Sequence, residues 1–171
     1  MVDEHTLELT LTQNQVCLID GNDMALVGEY QWYAHKSSRN KRNNYYVQCT
    51  LPTVDGKQKT LLLHRVIMGI TDPKVQVDHV DMNSLNNCRL NLRVATHSEN
   101  RCNQIAYSNS KTGIKDIYWH KRENKYRVQI KINGKQKQYG SFNTIQEAVV
   151  RRDELLPLLH KEFANTKDKG Y

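Results

Sequence analysis

The chain has 171 residues, a formal net charge of +7 and 38% hydrophobic residues. That length admits one domain or two small ones with modest cores, and the basic balance suits a polyanionic partner. No apolar run approaches membrane-spanning length and no secretory leader pattern opens the chain, so a membrane partner is excluded and a cytoplasmic location is expected.

The charge is unevenly spread. No Lys or Arg precedes Lys36, and that stretch holds Asp3, Glu4, Glu8, Asp20, Asp23 and Glu29. A basic body with an acidic cap would be oriented in the field of a polyanion. Cys17, Cys49, Cys88 and Cys102 show neither close pairing nor metal-ligand spacing, which reads as reduced intracellular thiols.

In chain order, Leu7, Leu9 and Leu11 alternate with polar residues and predict a half-buried strand. Val16 to Ile19, the turn Asp20-Gly21-Asn22 and Met24 to Val27 read as a hairpin. Glu29 to Tyr33 is expected to be a short turn whose aromatics plug a core. Lys36 to Asn44 is a polar loop in which Lys36, Arg39, Lys41 and Arg42 could meet phosphates. Tyr45 to Leu51 and Thr60 to Leu63 predict two strands joined across Val54-Asp55-Gly56, and His64 to Met68 a short helix ended by Gly69 and Pro73. This N-terminal part carries no catalytic constellation and is expected to be scaffold.

The stretch from Val77 to Asn100 carries the chemistry. Asp78 and His79 are adjacent, so in a strand their side chains point to opposite sides. An Asn-rich loop, Leu85 to Asn87, leads to Asn91-Leu92-Arg93. Thr96 followed by Glu99 has capping-box spacing, and Asn100 falls in the first turn of the helix so opened. Strand, return and helix would bring together a carboxylate, an imidazole and an amide oxygen, able to hold a hard divalent cation with a base beside it. Taken singly, an Asp-His pair is most often turn or surface polarity, and Asn-rich loops are most often turns.

The order and spacing say more. The run VDHVDMNSLNNCRLNLRVATHSENRCN resembles the HNH endonuclease motif in the form found in phage and intron-encoded homing endonucleases. The resemblance implies a ββα-metal fold, with His79 as general base, Asp78 and Asn100 as metal ligands, and Asn91 bracing the loop between the strands. Leu63 to Met68 resembles the His-Arg-Leu-Val element that often precedes the motif, making His64 and Arg65 accessory candidates, although a structural hydrogen bond is the commoner role for such a His; Arg93, inside the motif, is a third. Met82 stands where relatives usually carry Gly. Mg²⁺ is the natural cofactor and Mn²⁺ a substitute, and no Cys-x-x-Cys pair supports zinc. The implied setting is a bacterial or phage-infected host cell.

Ser108 to Gly113 is a small polar linker, placing a nuclease domain at 1–107 (scaffold 1–62, motif about 63–105) and a second domain at 114–165. Ile117 to His120 predicts a strand. Tyr126, Val128, Ile130 and Ile132 then alternate with Lys125, Arg127, Gln129 and Lys131, giving one apolar and one basic, amide-bearing face. Asn133-Gly134 is a hairpin turn, the return strand runs from Lys135 to Tyr139 and ends at Gly140, and Thr144 with Glu147 opens a helix reaching about Phe163. Ala148, Leu155, Leu159 and Phe163 would cover the sheet; Pro157 should kink or restart the helix, and 166–171 should fray.

Residues 112–150 are similar to the APETALA-type, or ethylene-response-factor, DNA-binding domain, which lays a three-stranded sheet in the major groove. By position, the DNA-facing residues would be Tyr118, His120, Arg127, Gln129, Lys131, Gln136 and Gln138, with Trp119, Tyr126 and Tyr139 on the helix side.

The expectation is therefore an α+β chain. An N-terminal β-rich extension and a ββα-metal core precede a three-stranded antiparallel sheet packed on one helix. Its substrate would be double-stranded DNA, cut by a monomer or weak dimer with no obligate small-molecule cofactor. The alternative from another class is a non-cleaving DNA-binding regulator. Its mark would be a broken Asp-His pair or a missing final ligand, and neither is seen.

Overall fold

A computed structural model describes residues 6–37, 44–53, 56–106 and 110–167. Arg39, Lys41 and Arg42, the turn residues Val54 and Asp55, the linker residues Ser108 and Asn109, and the tail 168–171 lie outside the described residues. The protein is mixed α and β, with several small antiparallel sheets. It divides into two compact units, Met1–Ala95 and Thr96–Tyr171.

In the first unit, β1 (Thr6–Thr10) pairs antiparallel with β2 (Val16–Asp20), Leu9 opposite Cys17. This differs from the hairpin expected between Val16–Ile19 and Met24–Val27: residues Met24–Val27 form one helical turn, α1. Four consecutive apolar residues fit a strand or a helical turn equally well, and only Val27 is buried. A second sheet orders β3 (Tyr33–Lys36), β4 (Tyr45–Thr50) and β5 (Thr60–Leu62). Tyr33 begins that sheet instead of closing a turn, while Trp32 does pack against the core and donates its indole N–H to the Val27 carbonyl at 2.8 Å. The helix α2 (Leu63–Ile67) follows, ended by Gly69 at φ +65°. Finally β6 (Gln76–His79) pairs antiparallel with β7 (Leu92–Ala95), Asp78 opposite Arg93. Ile19, Val27, Ala34, Val47, Leu63, Ile67, Val77 and Leu92 form one core, joining both sheets and α2 to the β6–β7 pair.

The second unit begins with α3 (His97–Cys102), whose capping box is complete: Thr96 Oγ1 accepts from the Glu99 N–H, and the Glu99 carboxylate accepts from the Thr96 N–H. Its sheet orders β10 (Lys135–Phe142), β9 (Lys125–Ile132) and β8 (Ile117–His120), with β9 central. Asn133 at φ +47° and Gly134 at φ +80° make the tight β9–β10 turn. The return strand does not stop at Gly140. A bulge between Gln138 and Gly140 lets it continue to Phe142. Gly140 has φ +147°, and a Cβ there would meet the Phe142 ring at 2.7 Å. One helix, α4 (Ile145–His160), covers the sheet through Ala148, Leu155 and Leu156 against Ile117, Val128 and Ile130. Pro157 does not interrupt it. The helix runs three residues further, because Pro157 is exposed and its missing N–H removes one bond from an otherwise packed helix.

Candidate active site

The loop between β6 and β7 is held by its own polar side chains. Asn91 donates to Asp81 Oδ1 at 2.9 Å and to the Asn86 carbonyl at 2.7 Å, and its Oδ1 accepts from the Asp81 N–H at 3.0 Å. Asp81 in turn accepts from the Asn83 N–H at 2.8 Å and from Asn86 Nδ2 at 2.9 Å. One amide and one carboxylate, ten positions apart, thus close the return.

The N-terminal extension pins the outside of the loop. The Leu18 N–H donates to the Leu85 carbonyl and the Asn87 N–H to the Leu18 carbonyl, at 2.9 and 2.8 Å. The Arg89 N–H donates to Asp20 Oδ2 at 2.7 Å, while the Arg89 guanidinium grips the buried Asp23. Strand β2 and the turn after it therefore set where the motif's loop lies, helped by Ser84 Oγ, which donates to the Tyr45 carbonyl at 2.5 Å.

Asp78 and His79 are each only 6% exposed. Arg93, across the β6–β7 register, donates Nε and Nη2 to Asp78 Oδ2 at 2.9 and 2.7 Å. On the other side of the strand, the His79 ring stands edge-on to His64, centroids 5.1 Å apart, and its Nε2 faces Asn87 Oδ1 at 3.4 Å. Asn87 is wholly buried, and its Nδ2 is directed to Cys17 Sγ and the Ser84 carbonyl, which fixes its oxygen toward His79. An acceptor facing Nε2 puts the ring proton there and the basic lone pair on Nδ1. Burial lowers the His79 pKa against the opposing pull of Asn87, Asp81 and Asp78, so the ring is neutral at pH 7. Burial likewise drives His64 down to about 3, aided by His79 and Arg65. Cys17 moves the other way, pushed up to about 12 by burial, so at pH 7 it is a thiol.

The other candidates are spread more widely. Arg65 donates to the carbonyls of Val75 and Asp72 at 2.7 and 2.6 Å, tying down the turn after α2. Asn100 lies on α3 in the second unit, its N–H bonded to the Thr96 carbonyl at 3.0 Å. Among the described residues, no group of three or more His, Cys, Asp or Glu is arranged to hold a metal ion.

In the second unit the register puts Tyr118 opposite Arg127, Gln136 opposite Lys131 and Gln138 opposite Gln129, all on the sheet face away from α4. Arg127 pairs with Glu123 at 2.5 Å, and His120 Nδ1 lies 3.7 Å from the same carboxylate. Gln136 donates to Gln129 Oε1 at 3.0 Å and Gln138 to Ser141 Oγ at 3.2 Å, while Lys131 is exposed.

Sequence reasoning passed over Asn87 and Glu123. The first was read as a turn residue, and its partner Cys17 lies 70 positions away, so no local signal exists. The second stands four residues before Arg127, a spacing visible in the sequence.

Comparison with known proteins gives the family. The chain is 33% identical over 144 residues to an uncharacterized HNH endonuclease of Acanthamoeba polyphaga mimivirus, covering 81% of this chain and 67% of that protein. The chain belongs to the HNH endonuclease family. It is also 30% identical over 92 residues to Protein 3.8 of Escherichia phage T7, covering 52% of this chain and 72% of that one. No family model and no solved structure matches the chain. None of these matches supports the resemblance of residues 112–150 to the APETALA-type domain. No helix among the described residues is long and apolar enough to cross a membrane.

Proposed function

We propose that this HNH family member is a metal-dependent, site-specific DNA endonuclease of the homing type, built on a ββα-metal core. His79 is the general base, Asn91 braces the loop, and Asp78 and Asn100 are the metal ligands. The observation that carries the reading is His79: a neutral imidazole, oriented by the buried Asn87 and flanked by the Asp78–Arg93 pair. Such a ring accepts a proton from water at neutral pH: burial keeps it neutral beforehand, and Asn87, Asp81 and Asp78 favour the imidazolium that forms.

The donor chemistry fits a hard divalent ion. Asp78 and Asn100 offer a carboxylate and an amide oxygen, and the thiol near His79 stays protonated. Mg²⁺ is the expected ion and Mn²⁺ a substitute; when bound it would offset the added negative charge on the phosphate oxygens. Arg93 keeps the Asp78 carboxylate in one orientation, and Asn91 keeps the loop from swinging away from His79.

DNA recognition is assigned to the open face of the β8–β10 sheet. Tyr118, His120, Arg127, Gln129, Lys131, Gln136 and Gln138 offer side chains that read base edges and phosphates of a duplex. The nuclease motif reaches about residue 105 and the recognition module spans 114–165; the last piece of the motif, α3, falls in the same compact unit as that module, and the chain acts as a monomer or weak dimer on DNA.

The test compares supercoiled plasmid, linear duplex and single-stranded RNA, with and without Mg²⁺, followed by sequencing of the cut ends. Mg²⁺-dependent cutting of duplex is expected, and His79→Ala should slow it by about 10²- to 10⁴-fold at nearly unchanged DNA affinity. Undiminished cleavage by that variant would remove His79 from the mechanism.

A further inference from the structure

The helix α3 has six residues, too short to be stable by itself, so its seat is supplied from outside. Its N-terminus has the Thr96–Glu99 capping box. At its C-terminal end the Lys115 ammonium donates to the Arg101 carbonyl at 3.0 Å and to the Cys102 carbonyl. A cation here satisfies two orphan carbonyls and meets the negative end of the helix. Asn165, itself buried, donates its side-chain amide to the next carbonyl, that of Asn103. Lys115 is anchored in turn. Its own carbonyl accepts from Arg152 Nη1 at 3.4 Å, and Arg152 is fully buried on α4 and paired with Asp153 at 2.7 Å. A continuous set of bonds therefore runs from the end of α3 to the helix that backs the recognition sheet.

We propose that Lys115 and Asn165 are positioning residues for Asn100: they seat α3 on the second unit, so that Asn100 travels with the recognition sheet. The inference rests on the reading of Asn100 as a metal ligand. The side-chain direction of Asn100 is set by the rotation of a helix with one and a half turns, and that rotation is fixed by the three carbonyls at its C-terminal end. Docking of the sheet on DNA then also carries a metal ligand to the phosphate. The recognition unit becomes part of the catalytic apparatus instead of a detachable anchor.

The test uses the full chain with Lys115→Met, Asn165→Leu, the conservative Lys115→Arg, and Asn100→Ala as reference. Five quantities are measured: kcat, KM for a duplex substrate, the salt slope of duplex binding, the melting temperature, and Mn²⁺ affinity by calorimetry on an uncleavable phosphorothioate duplex complex. The expected result is a fall in kcat of tenfold or more and Mn²⁺ affinity weakened about tenfold in Lys115→Met and Asn165→Leu. KM and salt slope should stay within twofold of the parent, and Lys115→Arg should recover most of the loss. A uniform structural weakening would lower the melting temperature without separating Mn²⁺ affinity from duplex affinity, and that outcome overturns the proposal. Should Lys115→Met fail to fold, Asn165→Leu decides the matter. Normal kcat and Mn²⁺ affinity in both variants, with Asn100→Ala inactive, would defeat the positioning role and leave the nuclease reading intact. Normal cleavage by Asn100→Ala would defeat that reading itself.

Discussion

The β6–β7 loop and the open face of the β8–β10 sheet are both crowded with polar side chains, yet they use them in opposite ways. In the loop, Asp81, Asn86, Asn87 and Asn91 bond to one another and to backbone, and Asn87 and Asn91 are buried. Each group is fixed before any substrate arrives, which is the condition for placing a base within hydrogen-bond reach of a reacting atom. On the sheet, Lys131, Gln136 and Gln138 are exposed, and the two glutamines donate only to neighbouring surface side chains, Gln129 and Ser141. Those side chains can be redirected to a partner at small cost. Fixed polarity suits chemistry and loose polarity suits recognition, and the two regions should respond differently when disturbed.

The largest response is expected at the fixed end. Asn91→Ala removes three hydrogen bonds and leaves Asp81 and the Asn86 carbonyl without their buried partner. A loss of about 2 to 3 kcal/mol is expected in urea unfolding of the first unit. The two tryptophans divide between the units, so a Trp119→Phe background lets Trp32 report this transition alone. Cleavage should fall with it, while duplex affinity stays. A variant with parental stability would show that backbone hydrogen bonds from β2, not Asn91, hold the return.

Acid should reach the same region next. His64, at about 3, stays neutral when folded and His79 gains its charge only below its usual 6.5, whereas the unfolded chain protonates both near 6.5. The unfolded state then binds more protons, so stability present at pH 7 is lost as pH falls from about 6.5, by up to about 1.4 kcal/mol per pH unit for each histidine. Trp32-monitored urea midpoints at pH 7, 6 and 5 measure it, and His64→Gln should flatten the slope. Equal midpoints at pH 7 and 5 would mean the two rings are hydrated enough to titrate normally.

Much of this contrast was legible beforehand, for reasons that differ by element. Both capping boxes, Thr96 with Glu99 and Thr144 with Glu147, are local and form as spaced. The apolar alternation of β9 is local too, and Val128 and Ile130 are fully buried as that pattern requires. Asp78 and His79 fall on one strand, β6, and Asn91 in the return that leads to β7. What escaped was non-local: β2 pairs with a preceding strand, β3 exists only because β4 is beside it, and Asn87 meets Cys17 across the core. Gly140 misled in another way, since a glycine that usually ends a strand here allows a bulge within one.

The loose end should show smaller, graded effects. Arg127→Ala with Lys131→Ala is expected to weaken duplex binding and lower the salt slope by up to about two, one for each phosphate left without its cation. Glu123→Gln works in the other direction. The Glu123 carboxylate holds Arg127 and sits near His120, and its neutralisation should strengthen binding by less than about 1 kcal/mol, the size of an exposed pair. Filter binding between 50 and 200 mM salt, about the range over which counterion release dominates, reads both. An unchanged slope in the double variant would move the DNA surface off this face.

The smallest effect returns to the loop. Met82 sits at φ +65°, a backbone region that favours Gly, with its N–H bonded to the His79 carbonyl at 2.9 Å. A side chain in that region of φ costs about 1 kcal/mol, and Gly gives back about half or more of this through its freer unfolded chain. Met82→Gly should therefore stabilise the first unit by at most about 0.5 kcal/mol, with kcat unchanged because Asn91 and Asp81 already fix the turn. Destabilisation beyond about 1 kcal/mol would instead show that the half-buried Met82 side chain contributes more by packing than its backbone costs. In that case the loop is held by side-chain carbon as well as by its amides.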